Sequence, residues 1–156
     1  MTSSKAFALS GCTARAKLQA THSVRTIQGL QGSEIAHLRK SGVEVSDVLE
    51  APEVAFTGDT TIDFATCPEN SPVLHAKLLI MEVTFLDDKV TVEHARKYGH
   101  THIAEVVANA DKFRNEAILM IHFSARYSAQ DITDALDNHL PPDLRKRVTP
   151  LLTGFS

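Results

Sequence analysis

The sequence contains no tryptophan, and its two cysteines, Cys12 and Cys67, form no C-x-x-C pair. That excludes a disulfide framework and a self-contained zinc finger, and it suits a reducing compartment. No apolar run approaches the ~18–20 residues that cross a bilayer. Leu78-Leu79-Ile80-Met81 has only the length of a strand, so a soluble protein with no membrane partner is expected. Seven glycines and six prolines in 156 residues are too few for a collagen-like or low-complexity chain. With 43% hydrophobic and 22% charged residues the composition is that of a globular protein, and the length gives room for one domain.

Acidic residues are missing from positions 1–33 altogether. Lys5, Arg15, Lys17 and Arg25 give that stretch +4, which leaves −7 on the remainder of a chain whose formal net charge is −3. A basic, acid-free stretch rich in Ser, Thr and Ala has the composition of an organellar transit peptide. A disordered or strand-bearing lead-in is the alternative, and the domain proper is expected over residues 34–156. Its acidic balance suits a phosphate backbone poorly, so any contact with nucleic acid has to use local patches such as Arg145-Lys146-Arg147.

Ser33 is placed to cap a helix over 34–40 that stops at Ser41-Gly42. Val43-Glu44-Val45 alternates as a strand does. Residues 47–52 read as a turn, and Val54-Ala55-Phe56 as a short buried strand ending at Gly58-Asp59. After a polar loop over 67–72, a second strand is predicted over 77–81, followed by a turn at Leu86-Asp87-Asp88-Lys89. Thr91 caps a helical turn over 92–97 that Gly99 closes. Ile103, Val106, Val107, Ala110 and Phe113 make one stripe of an amphipathic helix. A third strand is predicted over 117–121. A helix follows, capped by Ser128 with Asp131 as the box partner, with Ile132, Ala135 and Leu136 inward, and it ends before Pro141-Pro142. A last edge strand is predicted over 148–152, interrupted by Pro150. Strands alternating with helices specify an α/β layered fold.

The three apolar strands end in Asp59, in Glu82 with Thr84, and in His122. If they are parallel neighbours, these ends share one rim, where α/β folds bind ligands. His100 and His102 stand at the mouth of the amphipathic helix and can join a metal or acid–base cluster there. Duller roles exist for each residue. A Gly-Asp pair is commonly a turn, and a single strand-end histidine is commonly structural. His100-Thr101-His102 lacks a third ligand nearby. A carboxylate after four apolar residues, as at Glu82, needs a partner if buried. The remaining histidines, His22, His37, His75, His94 and His139, have no supporting context.

Taken together, Phe56-Thr57-Gly58-Asp59-Thr60, Met81-Glu82-Val83-Thr84-Phe85, Tyr98-Gly99-His100-Thr101 and Ile121-His122-Phe123-Ser124-Ala125-Arg126-Tyr127 resemble the C-terminal half of ribonuclease Z. This is the tRNA 3′-processing endonuclease of the metallo-β-lactamase superfamily, and the similarity to its short plant form runs over about residues 28–152. The resemblance implies the C-terminal half of an αββα sandwich, one mixed sheet with flanking helices. It implies Asp59 as a carboxylate bridging two zinc ions and His122 as a terminal ligand of one of them. It further implies Glu82 and His100 as an acid–base pair, and Ser124 and Arg126 as phosphate contacts or loop supports. His102 stands where the family has a small polar residue and receives no role. Thr101 for Ser and Val83 for Ala are mild departures.

A larger departure is that no H-x-H-x-D-H segment, the family's principal metal motif, occurs in these 156 residues. Two ligands hold two cations poorly against water, so the chain by itself is expected not to cleave tRNA at family rates. Without a partner sheet, one apolar face of this half is expected to lie open and to favour association. The resemblance therefore implies a two-zinc endoribonuclease acting on precursor tRNA as a homo- or heterodimer. The competing expectation is a non-catalytic or degenerate partner pairing with a full-length homologue. A hydrolase acting on a small ester fits the Glu82 and His100 pair less well. The implied location is the cytoplasm, or the chloroplast or another organelle if residues 1–33 are a transit peptide.

Overall fold

The computed structural model describes residues 3–6, 17–26, 31–42 and 46–155. Within them, strands β1 (Ser3–Ala6), β2 (Lys17–Thr26), β3 (Ser46–Phe56), β4 (Leu78–Glu82), β5 (Ala117–Ile121) and β6 (Val148–Pro150) lie side by side in one sheet, in chain order. β1, β2 and β3 pair antiparallel, whereas β3 through β6 pair parallel. Parallel neighbours need crossovers, and helices supply them. Helix α1 (Gly32–Lys40) precedes β3. The helical turns α2 (Asp63–Thr66) and α3 (Ser71–Leu74) join β3 to β4, α4 (Val92–Lys97) and α5 (Ile103–Ala108) join β4 to β5, and α6 (Ala129–His139) and α7 (Pro142–Arg145) join β5 to β6.

Several elements differ from expectation. The turn expected over 47–52 is strand, because β3 pairs with β2 along its whole length. The register shifts where Gln19 faces Val54 but Ala20 faces Pro52, so Glu53 is bulged out. A proline, lacking an N–H, is tolerated at such a bulge. The Glu53 carboxylate accepts from Lys77 Nζ at 3.0 Å and from Thr21 Oγ1 at 2.9 Å, and these bonds hold it below the ordinary carboxylate range. α1 starts two residues early, with Gln31 and Glu34 forming its capping box in place of Ser33. The polar loop over 67–72 holds a 3₁₀ turn (Pro68–Asn70) and the start of α3. The amphipathic stripe is split: α5 ends at Ala108 with Asn109 as its C-cap, a 3₁₀ turn (Ala110–Lys112) follows, and Phe113 is still delivered to the core. β6 stops at Pro150. The expected strand at Val43-Glu44-Val45 lies outside the described residues.

Alternate residues of the parallel strands separate the two faces of the sheet. Ala55, Leu79, Met81, Ile118, Met120 and Val148 are buried, in one cluster with Ile62, Phe64, Val106, Phe113, Ile132 and Leu136 from the crossovers. Each large side chain so covered contributes about 1.5–3 kcal/mol. The opposite alternates, Leu78, Ile80, Leu119 and Ile121, are only half-buried, and Phe56 is 38% exposed. Phe56, Ile80 and Leu119 stand in one row across β3, β4 and β5. Among the described residues, this is the apolar face left incompletely covered.

Candidate active site

Parallel register brings the ends of β3, β4 and β5 to one rim, as the strand-end pattern predicts. Beyond β3, Gly58 adopts φ 65°, a left-handed conformation that turns the chain so that Asp59 follows at the rim. β5 ends at Ile121, and His122 itself takes φ 61°. For a residue with a Cβ that conformation costs roughly 1–2 kcal/mol, a form of local strain that clusters at functional sites. His122 Nε2 lies 3.6 Å from Asp59 Oδ2, and both side chains are about half exposed. The two residues expected to share a metal are therefore adjacent.

Glu82, the last residue of β4, is fully buried. A buried carboxylate is tolerated only if its lone pairs are filled, and four donors converge on it. Oε1 accepts from the Thr60 N–H at 3.1 Å, the Thr101 N–H at 3.0 Å and His100 Nδ1 at 3.3 Å. Oε2 accepts from Thr84 Oγ1 at 2.6 Å. These bonds knit together the loops after β3, β4 and α4, and the Thr101 hydroxyl adds a further tie to the Thr60 carbonyl at 2.7 Å. The sequence signals Glu82 but not the roles of Thr60 and Thr101 as its donors. Their only trace is a small polar residue beside each candidate acid or base.

His100 is positioned by the end of α4. Thr91 caps the helix N-terminus through the His94 N–H, as expected. At the other end Gly99, at φ 78°, directs its N–H to the Arg96 carbonyl while the His100 N–H reaches the Ala95 carbonyl at 2.9 Å, the paired bonds of a Schellman stop. The ring then points Nδ1 at Glu82, and its Nε2 has no hydrogen-bond partner among the described residues. The rings of His100 and His122 stack with centroids 5.2 Å apart and planes at 23°.

His102 is not part of this cluster. It is buried as the N-cap of α5, accepting from the Ala104 N–H at Nδ1 and facing the Asp87 carbonyl from Nε2. Arg126 and Ser124 lie on the loop after β5. Arg126 pairs with Asp87 at 2.6 Å, bonds the Tyr127 hydroxyl, and lies over the rings of Phe85 and Tyr127. Ser124 is half-buried, and its N–H donates to the Thr84 carbonyl at 3.0 Å. Of the two, Arg126 is the one whose side chain makes contacts within these loops. Arg96 on α4 joins Glu105 on α5 at 2.5 Å and Asp63 at 3.1 Å, and the Glu105 bond raises its already high pKa. Nothing in the sequence pattern marked that ion pair.

Glu82, His100 and His122 each offer a ligand atom, all within 4.8 Å of one another, so the cluster is one that can hold a metal ion. Because Glu82 is already saturated by donors, the groups left for a cation are His122 Nε2, the Asp59 carboxylate and His100 Nε2. Nitrogen and carboxylate oxygen donors of this kind suit a zinc-type cation. Such donors can form one edge of a metal site whose other ligands come from outside this set.

The sheet order, the flanking helices and the acidic and histidine rim define a half-domain of the metallo-β-lactamase type. No family model matches the chain. Curated relatives do: it is 58% identical over 127 residues to tRNase Z TRZ1 and 44% identical over 126 residues to tRNase Z TRZ2, chloroplastic, both of Arabidopsis thaliana. It is 34% identical over 88 residues to Ribonuclease Z of Pyrobaculum islandicum. Each Arabidopsis match takes in 81% of this chain, but only 45% and 35% of those relatives, and the third takes in 56% of this chain and 29% of the relative. The chain spans less than half the length of the curated relatives it matches, and over that span its similarity is to part of ribonuclease Z.

Proposed function

We propose that this chain supplies the acid–base pair and part of the metal edge of a tRNA 3′-end processing endoribonuclease acting on precursor tRNA. The observation that carries the reading is the buried Glu82. It holds His100 directly and His122 through Thr84, with Asp59 beside His122. Asp59 and His122 are the residues that would hold zinc. When bound, zinc supplies Lewis-acid charge for the phosphate oxygens and a nucleophile from water at neutral pH. Glu82 orients His100 through Nδ1, so the ring presents Nε2 outward. Protonated there, His100 gives its proton to the 3′ oxygen as the P–O3′ bond breaks, leaving a 3′ hydroxyl on the tRNA, and the anionic Glu82 stabilises the imidazolium in the meantime. Ser124 and Arg126 would hold the loop behind His122, and Arg126 would meet phosphate if Asp87 releases it.

The test supplies the missing half, in cis or in trans, as the segment of a full-length relative that carries H-x-H-x-D-H. Cleavage of a 3′-extended precursor tRNA is expected only in its presence. Asp59→Ala and His122→Ala should each lower bound zinc and activity. Glu82→Ala and His100→Ala should lower turnover with zinc retained. Zinc content and cleavage both indifferent to the first pair would defeat the metal assignment.

A second reading, a non-catalytic partner of a longer homologue, is favoured by the half-covered row of Phe56, Ile80 and Leu119. Co-purification with that homologue, with no zinc in the isolated chain, would select it. For the first 33 residues, the ten paired positions of β2 against β3 support a strand-bearing lead-in over a detachable leader. No helix among the described residues is long and apolar enough to cross a membrane. Within the proposal, the cytoplasm remains the location for a chain that keeps this segment, and the relative named as chloroplastic is the reason to test an organelle by imaging a fusion.

A further inference from the structure

We infer that Thr84 is a positioning residue that fixes the ring tautomer of His122 and, with Glu82, gives both site histidines the same orientation of proton and lone pair. The functional meaning of this rests on the proposed roles of His100 and His122, but the hydrogen-bond logic does not. Thr84 is buried, at 6% exposure, and its hydroxyl carries one proton. That hydroxyl donates to Glu82 Oε2 at 2.6 Å, so its proton is committed to Glu82. Toward His122 Nδ1, at 3.1 Å, the same oxygen has only lone pairs left to offer. Nδ1 of His122 therefore carries hydrogen, and the ring's lone pair sits on Nε2, the atom that faces Asp59 at 3.6 Å.

His100 reaches the same state without an intermediary. Its Nδ1 faces Glu82 Oε1 at 3.3 Å, again a group that only accepts, so Nδ1 carries hydrogen and Nε2 the lone pair. One carboxylate thus sets two stacked rings, one directly and one through a threonine hydroxyl. The tautomer imposed is the one that a histidine side chain in water disfavours, so it has to be held. For a ligand the consequence is direct. Partners behind a metal-binding histidine fix its tautomer, and their loss typically weakens metal affinity 10–100-fold. A β-branched residue with a hydroxyl at position 84 meets the requirement, because its stiff χ1 keeps Oγ1 between the Glu82 carboxylate and His122 Nδ1.

The experiment uses the full chain labelled with ¹⁵N-histidine, recorded by two-bond ¹H–¹⁵N correlation where both rings are neutral. Wild type is expected to show His100 and His122 as Nδ1–H tautomers. Thr84→Val, which keeps the shape and removes the hydroxyl, should turn His122 toward Nε2–H while His100 stays unchanged, and Thr84→Ser should restore the wild-type pattern. Zinc added to the same samples should perturb His122 Nε2 at roughly tenfold higher concentration in Thr84→Val than in wild type. His122 found as Nε2–H in wild type, or still Nδ1–H in a folded Thr84→Val, overturns the proposal and leaves the metal assignment standing. A tautomer that moves as expected, in a chain whose zinc response is indifferent to His122→Ala, supports the positioning role and overturns the metal assignment instead. If Thr84→Val does not fold, the wild-type spectrum and Thr84→Ser still decide the point.

Discussion

The hydroxyl of Thr101 donates to the backbone carbonyl of Thr60 at 2.7 Å, joining loops 41 residues apart while the Thr101 N–H serves Glu82. Thr101 is completely buried, so removing its hydroxyl leaves a carbonyl in the interior without a donor. Thr101→Val is expected to cost about 1–3 kcal/mol, read as a lower midpoint in urea denaturation at an unchanged m-value. Thr101→Ser should stay close to wild type, since it keeps the bond. Equal losses in Val and Ser variants would point to packing of the methyl group instead.

Gly99 is the joint between α4 and His100. Its φ of 78° is one that a side chain adopts only with strain, although no atom stands within 4 Å of where a Cβ would be. Gly99→Ala is therefore expected to cost about 1 kcal/mol for backbone reasons alone, a fall in Tm of roughly 2–4 °C for a chain of this size. Because His100 follows directly, the same variant should weaken the Nδ1 contact to Glu82, visible as a shifted ring resonance. A Tm that is unchanged would show that the stop of α4 is looser than described.

Asp131 closes the capping box of α6, accepting from the Ser128 N–H at 2.8 Å and the Ser128 hydroxyl at 2.7 Å. These bonds, the backbone one foremost, lower its carboxyl below the ordinary value of 3.8. A carboxyl lowered on folding stabilises the native state fully above its unfolded value and ceases to do so as pH falls through the folded one. The stability difference between wild type and Asp131→Ala should therefore be constant above about pH 5 and shrink progressively as pH drops below about 4. Thermal melts from pH 3 to pH 7 measure it, and a difference that grows on acidification would contradict the sign.

The row of Phe56, Ile80 and Leu119 makes a prediction about association. Ile80→Lys or Leu119→Lys adds charge to the half-covered face without touching the buried alternates beside them. Self-association, or capture by a full-length relative, should fall in sedimentation experiments while circular dichroism remains unchanged. Association that persists in both variants would place the contact elsewhere.

Much of this fold was legible because its parallel strands are short, apolar and punctuated. Lys77 and Glu116 mark where β4 and β5 begin, and Glu82 and His122 mark where they end. Thr91, Gly99, Ser128 and Asp131 behaved as their capping chemistry predicts, because a cap depends on neighbours within a few residues. What could not be read was set at long range. The first part of β3, residues 47–52, reads as a turn because Pro52 and the polar residues before it are poor strand formers, and only pairing with β2 overrides that preference. The amphipathic stripe gave the right buried positions, including Phe113, but periodicity does not register that the chain tightens after Asn109. At the rim, the strand-end residues were visible one by one. That Thr60, Thr84 and Thr101 share a single carboxylate depends on three loops meeting, which no local pattern encodes.

The spacing of Asp59, Glu82 and His122 is inherited from the ladder that pairs Phe56 with Ile80 and Glu82 with Ile121. Inserting or deleting one residue within β4 or β5 would displace a side chain by about 3.3 Å and turn it to the opposite face of the sheet. Length variation among related sequences should therefore collect in the crossovers, while the distance in sequence from each strand's first paired residue to its rim residue stays constant.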